Sequence, residues 1–275
     1  MTTALRPLST GELLDRTFVL YRSHFALFLG IFALPQLVVL AFQFVGVAVR
    51  PQGNQLSNIL AMGAWVWGAI LLGMIISAIS QAATVVAVSQ VYLDRPAGVI
   101  DSFSRVRGEL VGVVVMSLII SVAVFFGCIA LIVPGVLLFL MWSLAVPAKV
   151  LENKGMFEAM SRSMDLTKGS RGRIFVIWIL FIVLSIGVSW LLSWPILLAA
   201  GASSRGALLR GAAQWQIASN VANFIAQCLV GPLATIAFSL VYYDERVRKE
   251  AFDLQLMMTS LDAPALPVAP AQAGA

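Results

Sequence analysis

The sequence predicts an all-α membrane protein with several membrane-spanning helices, and three observations support this fold class. Of the 275 residues, 60% are hydrophobic and 11% are charged, whereas a soluble domain has about 25% charged residues. Fifteen of the 18 Lys and Arg residues lie in four short segments. Five stretches contain no Asp, Glu, Lys or Arg, namely 23–49, 51–93, 110–148, 174–204 and 211–243. A soluble fold has no means of burying so much apolar surface.

Six spans follow from the lengths of these stretches, since a helix crosses a bilayer with about 20 apolar residues. The stretch after Leu110 is long enough for two helices, and we expect Pro134-Gly135 to form the tight turn between them. The stretch 59–93 is too short for two spans, so we expect one helix that tilts, bends or protrudes. The predicted spans are 25–49, 59–93, 110–132, 134–150, 174–200 and 217–242. They form a membrane domain over 1–256, followed by an Ala- and Pro-rich tail, 257–275, that we expect to be disordered.

The distribution of basic residues predicts the orientation of these spans. Fifteen Lys and Arg residues fall on the side that carries both termini, and only Arg50, Arg205 and Arg210 fall on the other side. Cytoplasmic loops carry the excess of Lys and Arg, whereas acidic residues contribute little to the rule. We therefore expect both termini to be cytoplasmic.

The three segments that precede the odd-numbered spans share one spacing, with an acid four residues before an arginine. The pairs are Glu12 and Arg16, Asp101 and Arg105, and Glu158 and Arg162. This order favours an ion pair on one face of a helix, and apolar residues recur on the other face. We therefore predict three hairpin repeats, each preceded by a cytoplasmic amphipathic helix in the membrane interface, over 10–22, 97–106 and 155–167. The alternative is that ordinary cytoplasmic linkers show this spacing by chance.

No residue pattern predicts catalysis or metal binding. No Asp, Glu, Lys or Arg lies deep in a predicted span, which disfavours a proton-coupled transporter. The single histidine, His24, lies at the interface and has no partners for a zinc site. We therefore predict no enzyme activity, no metal and no cofactor.

Two polar stripes lie within the predicted spans. In the sixth span Asn220, Asn223 and Gln227 share one helical face, and in the second span Ala69, Gly73, Ser77 and Gln81 recur at every fourth residue. Small residues let helices approach closely and amides bond across them, so packing is the first interpretation. We expect Asn223 and Gln227 to bond to another helix, preferably the second span. The alternative is a polar path or a cavity for lipid headgroups.

Three stretches of the sequence resemble a known family. They are LSTGELLDRTFVLYRSHF at 8–25, IVPGVLLFLMWSLAVPAKVLENKGMFEAMSRSMDLTKG at 132–169 and VYYDERVRKEAFDL at 241–254. They resemble the bacterial glycerophosphodiester phosphodiesterase membrane domain and its stand-alone relatives, in which catalysis belongs to a separate soluble barrel. We expect no such barrel here, because 33 residues follow Tyr242. The resemblance implies a six-helix protein of the bacterial inner membrane and transfers no catalytic residue.

These observations favour a non-enzymatic scaffold or regulator of envelope partners, and the alternative is a transporter or lipid-handling protein that uses the two polar stripes. The expected partners are the lipid bilayer and either other envelope membrane proteins or further copies of the chain. The net charge of +5 suits an anionic cytoplasmic leaflet, and no feature of the sequence requires a nucleic acid.

Overall fold

The computed structural model describes residues 8–48, 54–93, 95–201 and 208–250, which form ten α-helices and no β-strand. Six of the described helical stretches are long and apolar enough to cross a membrane, as the sequence predicts. Together they are the architecture of a multi-pass membrane protein. The helices are α1 (Thr10–Ser23), α2 (Phe25–Ala48), α3 (Gln55–Tyr92), α4 (Val99–Val106), α5 (Leu110–Ala130), α6 (Ile132–Trp142), α7 (Ala145–Glu152), α8 (Met156–Thr167), α9 (Arg171–Gly201) and α10 (Leu208–Glu250).

The three segments that precede the odd-numbered spans are helical, as α1, α4 and α8. In each of these helices the acid of the shared spacing is the third residue. The Glu12 carboxylate accepts the Ser9 backbone N–H at 2.8 Å, and the Glu158 carboxylate accepts the Gly155 backbone N–H at 3.3 Å. Asp101 holds the same position in α4. The acids therefore stabilise helix starts, where the first N–H groups lack partners and the helix dipole favours negative charge.

The second span begins earlier than predicted, at Gln55 instead of 59. Asn54 caps it, because its side-chain oxygen accepts the Ser57 backbone N–H at 2.8 Å. The helix α3 has 38 residues, which at 1.5 Å per residue is about 57 Å, against a hydrocarbon core of about 30 Å. Part of α3 must therefore tilt or extend beyond the core.

The fourth span differs from the prediction in two respects. The reversal after α5 occurs at the extended residue Leu131, and Pro134 and Gly135 lie in the first turn of α6. A Cβ on Gly135 would lie 2.6 Å from the Cys128 backbone nitrogen. Gly135 is thus needed for the close approach of α5 and α6, and not for a left-handed turn. The span is also interrupted at Ser143-Leu144, which separates α6 from α7.

The sixth span continues past the predicted end at 242, since α10 is helical to Glu250. Its last two turns contain ion pairs at the i,i+4 spacing, between Asp244 and Arg248 and between Arg246 and Glu250. Such pairs stabilise a helix that leaves the apolar region. The predicted tail 257–275 and the boundary at 256 lie outside the described residues.

The apolar core occupies one half of the bundle. It contains Leu13, Phe28, Ala87, Ile174 and Ile236, and Tyr242 is its largest fully buried side chain. The helix α10 packs against α1, α2, α3, α7, α8 and α9, so it is the central element. The nearby polar end, which contains Lys149, Glu152, Arg162, Arg173 and Asp244, is here called the charged end. In α3 every residue from 82 to 89 is buried, whereas most residues from 54 to 71 are exposed.

Candidate intramembrane cavity

A cavity of about 880 Å³ lies among the spans, away from the charged end. The α5 residues that line it run from Ser117 to Cys128. At a rise of 1.5 Å per residue, they lie about 10 to 27 Å along the helix from its first residue, Leu110. The cavity therefore lies at the depth of the hydrocarbon core. Its amide and hydroxyl lining comes from α2, α3, α5, α10 and the break after α6, and consists of Gln36, Gln43, Ser77, Gln81, Ser117, Ser121, Ser143, Asn220, Asn223 and Gln227.

The α10 stripe faces this cavity with all three of its residues. Asn220 is buried, and its side-chain oxygen accepts a hydrogen bond from Gln216 Nε2 at 3.0 Å. Asn223 and Gln227 are exposed to the cavity, and within the described part of the chain neither makes a side-chain hydrogen bond. The expected bonds from these amides to another helix are therefore absent, because the amides face open space and not a helix contact.

The α3 stripe lines the same cavity from the other side, with Ala69, Gly73, Ser77 and Gln81. The side-chain nitrogen of Gln81 donates to Ser77 Oγ at 3.0 Å, within the same helix. A Cβ on Gly73 would meet no atom within 4 Å. The small residues of this stripe therefore widen the cavity, and the interpretation of the stripe as a close helix contact is wrong at Gly73.

Sequence reasoning missed the polar residues of α2 and α5. The apolar helix α2 contains two amides, Gln36 and Gln43, and both line the cavity. Among the apolar residues of α5, Ser117, Ser121 and Cys128 share a face and line it as well. The two amides of α2 are seven residues apart, and the three α5 residues are separated by four and seven. Residues at these spacings share one face of a helix, so this pattern could have predicted them.

A second cavity of about 290 Å³ adjoins the first. The residues that line both cavities include Ser77, Gln81, Phe139, Ser143 and Gln227. The second cavity is otherwise mainly apolar and aromatic, and α9 contributes to its wall. Its aromatic lining consists of Phe32, Phe139, Trp178, Phe181 and Phe238. Gln81 and Gln227 therefore lie between a cavity with many amide and serine side chains and a cavity with more aromatic ones.

The break in the fourth span lies beside both cavities. The side chain of Ser163, on α8, donates to the Met141 carbonyl at 2.8 Å and accepts the Leu144 backbone N–H at 3.2 Å. Thr167 Oγ1 donates to the same carbonyl at 3.4 Å. A broken helix is tolerated inside a membrane where nearby Ser and Thr side chains satisfy the freed backbone groups. The helix α8 thus supports the cavity wall from the charged end.

The arginine predicted to pair with Glu158 instead joins α7 and α10. Arg162 contacts Glu152 at 3.1 Å and also pairs with Glu250. Tyr242 donates to the Glu152 carboxylate at 2.6 Å. Burial acts to lower the pKa of Arg162, but its hydrogen bonds to Glu250 and Glu152 outweigh burial and raise it. This arginine is therefore a structural cation that holds three helices together.

The remaining residues of the shared spacing take separate positions. Arg16 lies near the side chain of Tyr92 on α3. Asp101 and Arg105 are both exposed and form no ion pair with each other. These residues do not converge on one site in the described part of the chain.

A second ion-pair cluster fixes the beginning of the described chain. The buried Asp244 accepts the Leu8 backbone N–H at 2.6 Å, and it pairs with Arg173 and with Arg248. Lys249 donates to the Leu166 and Lys168 carbonyls, both at 2.7 Å, at the end of α8. Apart from Arg248, which lies four residues after Asp244, the partners are far apart in sequence, so no local pattern predicts them.

The described residues contain no group of three or more His, Cys, Asp or Glu side chains arranged to hold a metal ion. Comparisons with protein-family models, with curated proteins and with solved structures found no match for this chain. The class of the protein is therefore defined by its fold and its cavity alone: it is a six-span α-helical protein with a polar chamber among its spans. The resemblance drawn from the three sequence stretches stays a prediction.

Proposed function

We propose that the chain is a non-enzymatic membrane protein that binds an amphipathic small molecule inside its bundle, as a lipid-handling or transport protein does. The observation that supports this proposal is the convergence of polar side chains from α2, α3, α5 and α10 on one cavity at membrane depth. Unpaired amides in hydrocarbon are costly. A bound polar group would restore their hydrogen bonds, in agreement with the general character of ligand sites as cavities with a few placed polar groups.

A direct test is native mass spectrometry of the protein purified in a mild detergent. We expect a retained lipid-sized molecule, and we expect Gln227→Leu to weaken its binding about two- to twelvefold, since one hydrogen bond contributes about 0.5–1.5 kcal/mol. Gln55→Leu is the matched control, because Gln55 lies at the start of α3 and does not line either cavity. Absence of any retained molecule, or equal occupancy in both variants, would contradict the proposal.

The scaffold function is a second candidate, and exposed apolar side chains near the charged end support it. Phe157 on α8 is 71% exposed and Ile100 on α4 is 82% exposed. Both positions suit either a membrane interface or a protein partner. A protein that copurifies in stoichiometric amount, and is lost on Phe157→Ser, would favour the scaffold over the lipid-binding function.

We also propose that α1, α4 and α8 are interfacial helices of three hairpin repeats, and that the charged end is cytoplasmic, in the inner membrane of a bacterium. The uneven distribution of Lys and Arg supports this orientation. The family resemblance supports the inner membrane. The common position of Glu12, Asp101 and Glu158 as third helical residues supports the repeat.

A further inference from the structure

The large cavity is polar but carries no charge. Its 25 lining residues include six amides and four serines, and none of them is Asp, Glu, Lys, Arg or His. Amides and hydroxyls both donate and accept hydrogen bonds. A charged group placed among them would lose its hydration without gaining a counter-charge, and such a transfer is strongly unfavourable.

Several of these amides are available to a ligand. Within the described part of the chain, Gln36 and Gln43 on α2 and Asn223 and Gln227 on α10 make no side-chain hydrogen bond. They approach the cavity from two helices, together with the serines of α5. A head with several hydroxyl groups would satisfy donors and acceptors at once, whereas an anion would use only the donors.

The second cavity supplies the complementary apolar part. It shares lining residues with the first cavity, among them Gln81 and Gln227, and it is lined by five aromatic side chains. Its volume of about 290 Å³ has room for roughly ten groups the size of a water molecule or a methylene, at about 30 Å³ each. This is room for roughly half of one long acyl chain and not for two.

We propose, on the basis of the function proposed above, that the ligand has an uncharged, hydroxyl-rich head and a single apolar chain. The head lies among the amides of the large cavity, and the chain passes between Gln81 and Gln227 into the aromatic cavity. The ligand class is that of neutral monoacyl polyol lipids. A phosphate on the head adds about −1.5 to −2 charges at pH 7 and should exclude the molecule.

Two lipid probes that differ only in a phosphate test whether the ligand headgroup is uncharged. The full chain is placed in phosphatidylcholine nanodiscs that contain equal amounts of monooleoylglycerol and oleoyl lysophosphatidic acid. The lipid retained by the protein is identified by native mass spectrometry after release. We expect at least tenfold more monooleoylglycerol than lysophosphatidic acid on the protein. Millimolar free glycerol should leave this ratio and the total occupancy unchanged.

Charged variants test the position of the head. Gln227→Lys supplies the missing counter-charge and should shift the retained ratio at least tenfold toward lysophosphatidic acid. Gln81→Lys is the second variant at the junction, and Gln55→Lys, outside the cavities, is the control that should behave as the unmodified chain. If both junction variants fail to fold, the ratio measured on the unmodified chain decides the question alone.

Each negative result would contradict a different part of the proposal. Equal or greater retention of lysophosphatidic acid by the unmodified chain would overturn the uncharged head and leave the proposed function intact. Retention of phosphatidylcholine in place of either probe would overturn both the uncharged head and the single chain, because this lipid has a zwitterionic phosphate head and two acyl chains. Displacement of the lipid by free glycerol would overturn the need for an apolar chain. Retention of no lipid at all would overturn the proposed function itself, and the cavity would then hold only water.

Discussion

Replacing Gly135 by alanine tests a close backbone contact between two helices beside the cavity. The contact joins the first turn of α6 to the last turns of α5, where Gly127 and Cys128 lie. The added Cβ would be 2.2 Å from Cys128 Sγ, 2.6 Å from its backbone nitrogen and 2.8 Å from its Cα. Favourable carbon contacts lie at about 3.5–4.0 Å, so the two helices must separate by about 1 Å.

The cost should lie at the upper end of the range for overpacking, at about 3 kcal/mol, because two of the three clashing atoms belong to the backbone and have no other rotamer. This corresponds to about a hundredfold change in the ratio of folded to unfolded protein. Adding Cys128→Ala removes the sulfur but leaves the 2.6 Å contact with the backbone nitrogen. The double variant should therefore recover little of the lost stability.

The free energy of unfolding can be measured by SDS titration of the purified protein in mixed micelles, with tryptophan fluorescence as the signal. The matched control is Gly187→Ala in α9, where a Cβ meets nothing within 4 Å. This control should be neutral, or should gain up to about 1 kcal/mol from helix propensity. Equal stability of Gly135→Ala and Gly187→Ala would refute the close-approach argument, and full rescue by Cys128→Ala would show that the sulfur alone decides.

Two further predictions concern the broken span and the orientation. Ser163→Ala removes the hydrogen bonds to the Met141 carbonyl and the Leu144 N–H, so the free energy of unfolding should fall by about 1–3 kcal/mol. The control is Ser161→Ala on the exposed face of α8, which should change the free energy of unfolding by less than about 0.5 kcal/mol. Equal changes in the two variants would show that the break in the fourth span needs no support from Ser163. A single cysteine at Asn54 should react with an impermeant thiol reagent in intact cells, and its protection there would reverse the proposed orientation.

The number and approximate positions of the spans were predictable because the bilayer imposes a simple requirement on the sequence. Each span needs a long apolar stretch, and charge must stay outside it. The capping box of α1 is also a local feature, since Ser9 and Glu12 interact across three residues. The boundaries of α3 and α10 differ from the prediction because apolar length alone does not mark them: the cap at Asn54 starts α3 before the apolar stretch, and i,i+4 ion pairs extend α10 beyond it.

The class of fold and the residues of the two stripes follow from the sequence alone, because apolar length and helical period are local properties. What the stripes face depends on the packing of the helices. Helix period places Asn223 and Gln227 on one side of α10, but their surroundings depend on how α2, α3 and α5 are arranged around that side. The tertiary structure likewise decided the partners of Arg162, because Glu152 and Glu250 approach it from two other helices. A pattern along one helix specifies a face, whereas a cavity or an ion-pair cluster exists only where several faces meet.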